Sequence, residues 1–154
     1  MALLARGEKA PYFEGVNQSG EKISLNDFQG KKLILYFYPK DDTPGCTAEA
    51  CNLNDNYEMW IGKGYHVVGV SPDSQVSHQK FISKYGLKFN LLSDEGKTIL
   101  NAYGAWGEKK NYGKTYMGVI RSTYIIDEEG KIEEVIGTVD TKNHTGQIIK
   151  KLNL

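Results

Sequence analysis

Both cysteines of the 154-residue chain fall in one stretch, YFYPKDDTPGCTAEAC at residues 36–51, as Cys46 and Cys51. A thiolate is a far better nucleophile and metal ligand than a serine hydroxyl, so this pair is where chemistry is sought first. Thr43 and Pro44 suit the N-cap and first position of a helix, because Pro44 has no N–H to leave unsatisfied there. Cys46 then lies in the first turn, where free backbone N–H groups and the helix dipole favour an anion. Asp41 and Asp42 oppose that anion, so a cation supplied from elsewhere in the chain is expected.

Helical spacing separates the two thiols. Cys46, Ala50, Leu53, Tyr57 and Trp60 share an apolar face, while Thr47, Cys51, Asn54 and Glu58 share a neighbouring polar one. Cys46 is expected to point towards the sheet end, and Cys51 towards solvent or a loosely covered flank. Five residues along a helix give a rise of about 7.5 Å and Cα atoms roughly 8.6 Å apart, beyond the ~7 Å limit for a disulfide. The pair can bond only if the first turns unwind. That geometry opposes a structural disulfide. A metal site lacks ligands, since His66, His78 and His144 show no zinc-type spacing. Two inert buried cysteines stay open on these grounds, beside a reactive thiol with a second thiol in waiting.

The elements that must position these residues follow from the hydropathy pattern. KLILYFY, residues 32–38, reads as a buried central strand, and HVVGVS, residues 66–71, as a second. STYIIDEEGKIEEVIG reads as two strands joined by a hairpin at Glu128-Glu129-Gly130. Helical patterns run from Pro44 to about Ile61, Gln75 to about Tyr85, Asp94 to about Tyr103, and about Lys142 to Leu152. Crossover through the first helix makes the strands at 32–38 and 66–71 parallel, and the late hairpin adds antiparallel strands. Tyr12 to Leu25 forms a short hairpin around Gln18-Ser19-Gly20. This order resembles the thioredoxin-like α/β layout: a central mixed β-sheet flanked by helices, with an N-terminal β-hairpin extension. The length fits one domain spanning residues 1–154.

Nineteen basic residues balance nineteen acidic ones and the formal charge is zero. With no basic run, the composition argues against capture of nucleic acid or an anionic membrane. The opening MALLARGEKA has too short an apolar stretch for a signal peptide, and no apolar run reaches spanning length. A cytoplasmic protein is therefore expected, and in that reducing compartment two close cysteines point to redox chemistry or metal rather than a staple.

Taken with these motifs, the chain resembles the peroxiredoxins, and specifically the bacterioferritin-comigratory or peroxiredoxin Q branch. The resemblance covers nearly the whole chain. It rests on PKDDTPGCTAEAC, which matches the family's P-x-x-x-T-x-x-C loop with a second cysteine five residues on. It rests also on VVGVSPDS, NLLSDEGK and WGEKKNYGKTYMGVIRSTYIID. One departure is Leu53-Asn54-Asp55, where the family often has Phe-Arg-Asp. Asn54 thus removes a basic side chain near Cys51, which bears on reductase docking.

The resemblance implies that Cys46 is the peroxidatic and Cys51 the resolving cysteine. Thr43 would hydrogen-bond the attacked peroxide oxygen, Arg121 would be the missing cation, and Pro39 would shield the site and fix its loop. Glu49 is read as a solvated first-turn acid rather than as a carboxylate orienting Arg121. Trp106, Tyr112 and Tyr116 are expected to pack or to cover the site. The implied reaction passes through a Cys46 sulfenic acid and a Cys46–Cys51 disulfide that thioredoxin, or a similar dithiol protein, reduces. No metal, haem or flavin is called for, and a monomer is expected because no long C-terminal extension or exposed apolar strip is evident. Two other readings compete. A thiol–disulfide oxidoreductase shares the fold, but the spacing is C-x4-C rather than C-x-x-C. A redox-sensing binding module would pass oxidation to a partner without turnover.

Overall fold

The computed structural model describes residues 3–154, so the first two residues of the opening stretch lie outside it. Strands β1 (Glu14–Val16) and β2 (Lys22–Ser24) form the expected N-terminal hairpin, pinned by the Asn17 carboxamide, whose oxygen accepts from the N–H groups of Ser19 and Glu21. Then come β3 (Lys32–Phe37), α1 (Pro44–Asp55), α2 (Tyr57–Gly62), β4 (Tyr65–Ser71), α3 (Gln75–Tyr85), β5 (Asn90–Ser93) and α4 (Thr98–Ala102). The chain closes with β6 (Trp106–Asn111), β7 (Lys114–Val119), β8 (Ser122–Ile126), β9 (Ile132–Ile136) and α5 (His144–Leu152).

A seven-stranded mixed sheet runs in the order β2-β1-β5-β4-β3-β8-β9, and β6 and β7 pair separately. Strand β3 lies in its interior, parallel to β4 from Lys32↔Tyr65 to Phe37↔Val70 and antiparallel to β8 from Leu33↔Ile126 to Phe37↔Ser122. Period-2 alternation divides its side chains between two buried layers. Leu33, Leu35 and Phe37 pack with Ile99, Leu100 and Tyr103 on one face. Ile34, Tyr36 and Tyr38 pack with Cys46, Ala50, Leu53, Trp60 and Phe81 on the other. The Cys46 face of α1 is therefore laid on the sheet beside the C-terminal end of β3.

Four boundaries differ from the sequence reading. The helix expected over 44–61 breaks at Asn56, whose amide donates back to the Asn52 carbonyl at 2.8 Å. A Ser, Asp or Asn side chain that competes for backbone groups ends a helix in this way. The helix expected from Asp94 begins only at Thr98, because the Asp94 carboxylate stands outside it and accepts the N–H groups of Ile99 and Leu100. Strand β5 is four residues long and gave no period to read. The β6–β7 hairpin is mostly exposed, and its apolar Trp106, Met117 and Val119 share a face with Glu108, Lys110 and Thr115, so it carried no clean apolar alternation; its turn is Tyr112-Gly113, both at positive φ.

Candidate active site

Thr43 holds the N-cap backbone position of α1, at φ −104° and ψ 156°. Its hydroxyl does not cap the helix. It donates instead to the Lys40 carbonyl at 2.8 Å, which corrects the expected capping bond. The first N–H groups of α1, that of Cys46 among them, thus keep no intrahelical partner and no side-chain cap.

Cys46 is buried, 1% exposed, on the sheet-facing side of the first turn. The missing cation is beside it. Arg121, at the entry to β8, donates from Nη2 to the Cys46 Sγ at 3.2 Å. Its other arm, Nη1, donates to Glu49 Oε1 at 2.7 Å. Glu49 follows Cys46 by three residues, so both share one helix face and one guanidinium fork spans them. Gly45 allows this approach, since a Cβ there would lie 3.3 Å from Nη2.

Glu49 is fully buried, which corrects its reading as a solvated acid. Burial pushes its carboxyl up to about 7, against the opposing pull of Arg121. Its second oxygen, Oε2, has no hydrogen-bond partner among the described residues and lies 3.6 Å from His144 Nε2. His144 is itself buried at the start of α5, and desolvation pushes it down to about 4.

The two aspartates expected to oppose the thiolate are engaged elsewhere. Asp41 is buried and accepts from the Tyr38 hydroxyl at 2.6 Å and the Ser77 hydroxyl at 2.8 Å, with His78 Nδ1 at 2.7 Å. Asp42 stands at φ 56°, paired with Lys84 and with the Tyr85 hydroxyl, both at 2.8 Å. Ligand atoms of Asp41, Asp73 and His78 lie within 4.8 Å of one another, as a metal site would need. Hydrogen bonds among them and to Tyr38, Ser71 and Ser77 account for the cluster.

Cys51 is half-buried on the other flank of α1, along a shallow depression lined by Asp42, Thr43, Pro44, Thr47, Ala48 and Tyr85. Burial, with Asp55 nearby, pushes its thiol up. Both cysteines are free and lie on an intact helix. Pro39 is half-buried directly after the last ladder bond of this edge, Tyr38 N–H to the Val70 carbonyl. Of the three aromatics expected to pack or cover, Trp106 packs against the core with Lys97 over its ring. Tyr112 is 96% exposed at the hairpin tip and does not pack, while Tyr116 is 46% exposed on β7.

His144 was weighed in the sequence only as a metal ligand, because the neighbours it meets, Glu49 and Thr123, lie 95 and 21 positions away. Asn54 was noted only for the charge it lacks. In the structure its side chain donates to the Gly86 carbonyl at 3.0 Å and accepts from Lys88 N–H at 2.8 Å, clamping α1 to the turn after α3.

Against known families, residues 6–135 match the model of the AhpC/TSA family. The chain belongs to that family. Peroxiredoxin Bcp of Bacillus subtilis is 44% identical over 146 residues, covering 95% of this chain and 93% of the relative. Peroxiredoxin Bcp of Escherichia coli K12 is 43% identical, covering 97% and 96%. Among solved structures, a peroxiredoxin Q mutant of Xylella fastidiosa superposes with a TM-score of 0.92 at 29% identity, covering 99% and 98%. Peroxiredoxin Q of Xanthomonas campestris gives 0.85 at 33% identity, covering 92% and 89%. These relatives place the chain in the Bcp or peroxiredoxin Q branch, with its thioredoxin-like fold. It is a thiol-dependent peroxidase, an oxidoreductase that acts on peroxide and draws on a thioredoxin-like reductant.

Proposed function

We propose that Cys46 is the thiol that attacks peroxide and Cys51 the thiol that resolves the product. The observation that carries this reading is the Arg121 fork, with one arm 3.2 Å from the Cys46 sulfur and the other 2.7 Å from the buried Glu49 carboxyl group. The Cys46 thiolate attacks one peroxide oxygen, the O–O bond breaks, and its electron pair leaves on the second oxygen. That oxygen takes a proton and departs as water or an alcohol, while sulfur loses two electrons and becomes a sulfenic acid. Negative charge spreads over both oxygens during the displacement. Arg121, the uncapped N–H of Cys46 and the Thr43 hydroxyl, once it releases the Lys40 carbonyl, are donors set to meet that charge. Pro39 fixes the loop and shields it from water.

In the second step α1 unwinds from its start, the Cys51 sulfur attacks the sulfenic sulfur, the S–O bond breaks and water leaves. The resulting Cys46–Cys51 disulfide is reduced by thioredoxin through thiol–disulfide exchange. Hydrogen peroxide and organic hydroperoxides are the proposed substrates; the bacterioferritin comigratory protein of Xanthomonas campestris is described by an alkyl peroxide reduction activity. The protein acts as a cytoplasmic, single-domain monomer that engages neither nucleic acid nor membrane. No described helix is long and apolar enough to cross a membrane.

Peroxide consumption by the purified protein with thioredoxin and its reductase tests the reading. Wild type turns over, Cys46→Ser does not, and Cys51→Ser reacts once and stalls. Turnover by Cys46→Ser at the wild-type rate would overturn it.

A further inference from the structure

Glu49 reaches Arg121 with one carboxyl oxygen and buries the other. Oε1 accepts a hydrogen bond from Arg121 Nη1, whereas Oε2 is buried with no hydrogen-bond partner among the described residues. An unpaired buried carboxyl oxygen is costly, so the group that faces it deserves identification. That group is the His144 imidazole, with Nε2 3.6 Å away and both side chains fully buried.

The tautomer of His144 can be read from its neighbours. Gln147 donates from Nε2 to the Thr138 carbonyl at 2.7 Å and accepts on Oε1 from Asp140 N–H at 2.8 Å, which fixes the orientation of its amide. The same Oε1 lies 2.9 Å from His144 Nδ1, so Nδ1 must carry a proton. In the neutral ring Nε2 is then a bare lone pair, already accepting from the Thr123 hydroxyl at 2.7 Å. A bare carboxylate oxygen opposite that lone pair would be repelled. One proton on the pair removes that repulsion: on Nε2 it gives an ion pair at 3.6 Å, with the Thr123 hydroxyl turned to accept, and on Oε2 it cancels the carboxylate charge.

We propose that His144 is a positioning residue of this peroxidase: holding one proton in common with Glu49, it relieves the repulsion at the facing carboxyl oxygen and so fixes the carboxyl that aims Arg121 at the Cys46 sulfur. This rests on the reading of Cys46 and Arg121 given above. Three features make the support rigid. Asn143 caps α5 by accepting from Gly146 N–H, Thr145 N–H donates to Asn52 Oδ1 at 2.7 Å, and the Trp60 indole donates to the Thr145 hydroxyl at 3.2 Å. The start of α5 is thereby tied to α1 one turn beyond Glu49. The charged and titratable groups facing the pair are Arg121 from the entry to β8, Cys46 from α1, Tyr36 from β3 and Asp140 from the loop before α5. Burial pushes Glu49 up to about 7 and His144 down to about 4, so the pair carries a single proton across the interval between.

The experiment is a double-mutant cycle of His144→Asn and Glu49→Gln, read by single-turnover oxidation of Cys46 with hydrogen peroxide. Asn keeps a donor for Gln147 and removes Nε2; Gln keeps an oxygen for Arg121 and carries its own donor at the Oε2 position. His144→Asn alone is expected to slow oxidation about tenfold, but to have less than a twofold effect in the Glu49→Gln background. Nitrogen NMR of labelled histidine gives a second readout. The His144 resonance belongs to the Nδ1–H tautomer in wild type and shifts in Glu49→Gln. An equal loss in both backgrounds, or a His144 resonance indifferent to Glu49→Gln, overturns the proposal and leaves the histidine as packing. Arg121→Gln is the control for the underlying reading. If that variant oxidises Cys46 at the wild-type rate, the site assignment itself falls; if it is slow while the cycle shows no coupling, only the role of His144 falls.

Discussion

At the scale of single residues, the site works because one side chain has two arms. Arg121 meets Cys46 and Glu49 at once, and each contact restrains the geometry of the other. Lysine would keep the charge but lose the planar fork, and could serve only one partner at a time. Arg121→Lys is therefore expected to lower the peroxide rate by about tenfold or more, while alkylation of Cys46 by iodoacetamide falls much less. Alkylation needs the anion alone, whereas peroxide cleavage needs donors aimed at two oxygens. Equal loss in the two assays would show that Arg121 supplies only charge. The cysteines were legible in the sequence from their position at a helix start and their spacing, and Thr43 and Arg121 through the motifs that carry the family resemblance. Glu49 was misread: a first-turn acid is normally solvated, and only the sheet packed over α1 and the Arg121 fork make it a buried partner.

At the scale of elements, α1 is held unevenly. Its first two turns are tied to their surroundings through Arg121, with Pro44 and Cys51 on an open flank. From residue 52 onward it is clamped twice, by Asn52 to Thr145 of α5 and by Asn54 to the turn at Gly86 and Lys88. A disulfide between residues five apart must unwind the helix, and these clamps set where unwinding stops. The oxidised protein is expected to show fast amide exchange from residue 44 to about 51, with residues 53–55 still protected. Asn54→Ala should let the fast region spread by a turn, and Cys51→Ser, which cannot close the bond, should keep the whole helix protected under peroxide. A disulfide form as protected over 44–51 as the reduced one would remove Cys51 from the resolving role. The long apolar runs of β3, β4 and β8 were readable as strands because burial on both faces leaves an uninterrupted signature. The break at Asn56, the short β5 and the exposed β6–β7 hairpin were not, since each is decided by one hydrogen bond or by pairing rather than by local hydropathy.

At the scale of the whole molecule, the buried pair of Glu49 and His144 shapes the response of stability to pH. Glu49 is raised from its ordinary 4.5 to about 7, so its contribution is full below pH 4.5 and is lost as pH rises through 7. His144 is lowered from 6.5 to about 4, so its contribution is full above pH 6.5 and is lost as pH falls through 4. Between roughly 4.5 and 6.5 the native pair binds one proton, on Glu49, and the unfolded chain also binds one, on His144. The proton counts match, and the two slopes cancel. Wild type should therefore show no pH dependence from this pair in that interval, although each residue alone would impose a steep one. Removing either partner exposes the other. His144→Asn should lose roughly 3 kcal/mol of stability as pH rises from 4.5 to 7, and Glu49→Gln should lose a similar amount as pH falls from 6.5 to 4. Urea denaturation at half-unit pH steps on the three proteins would display opposite slopes in the two variants, each measured relative to wild type. Slopes of the same sign would mean that the two groups do not share a proton count, and that the buried carboxyl beside Arg121 is ionised throughout.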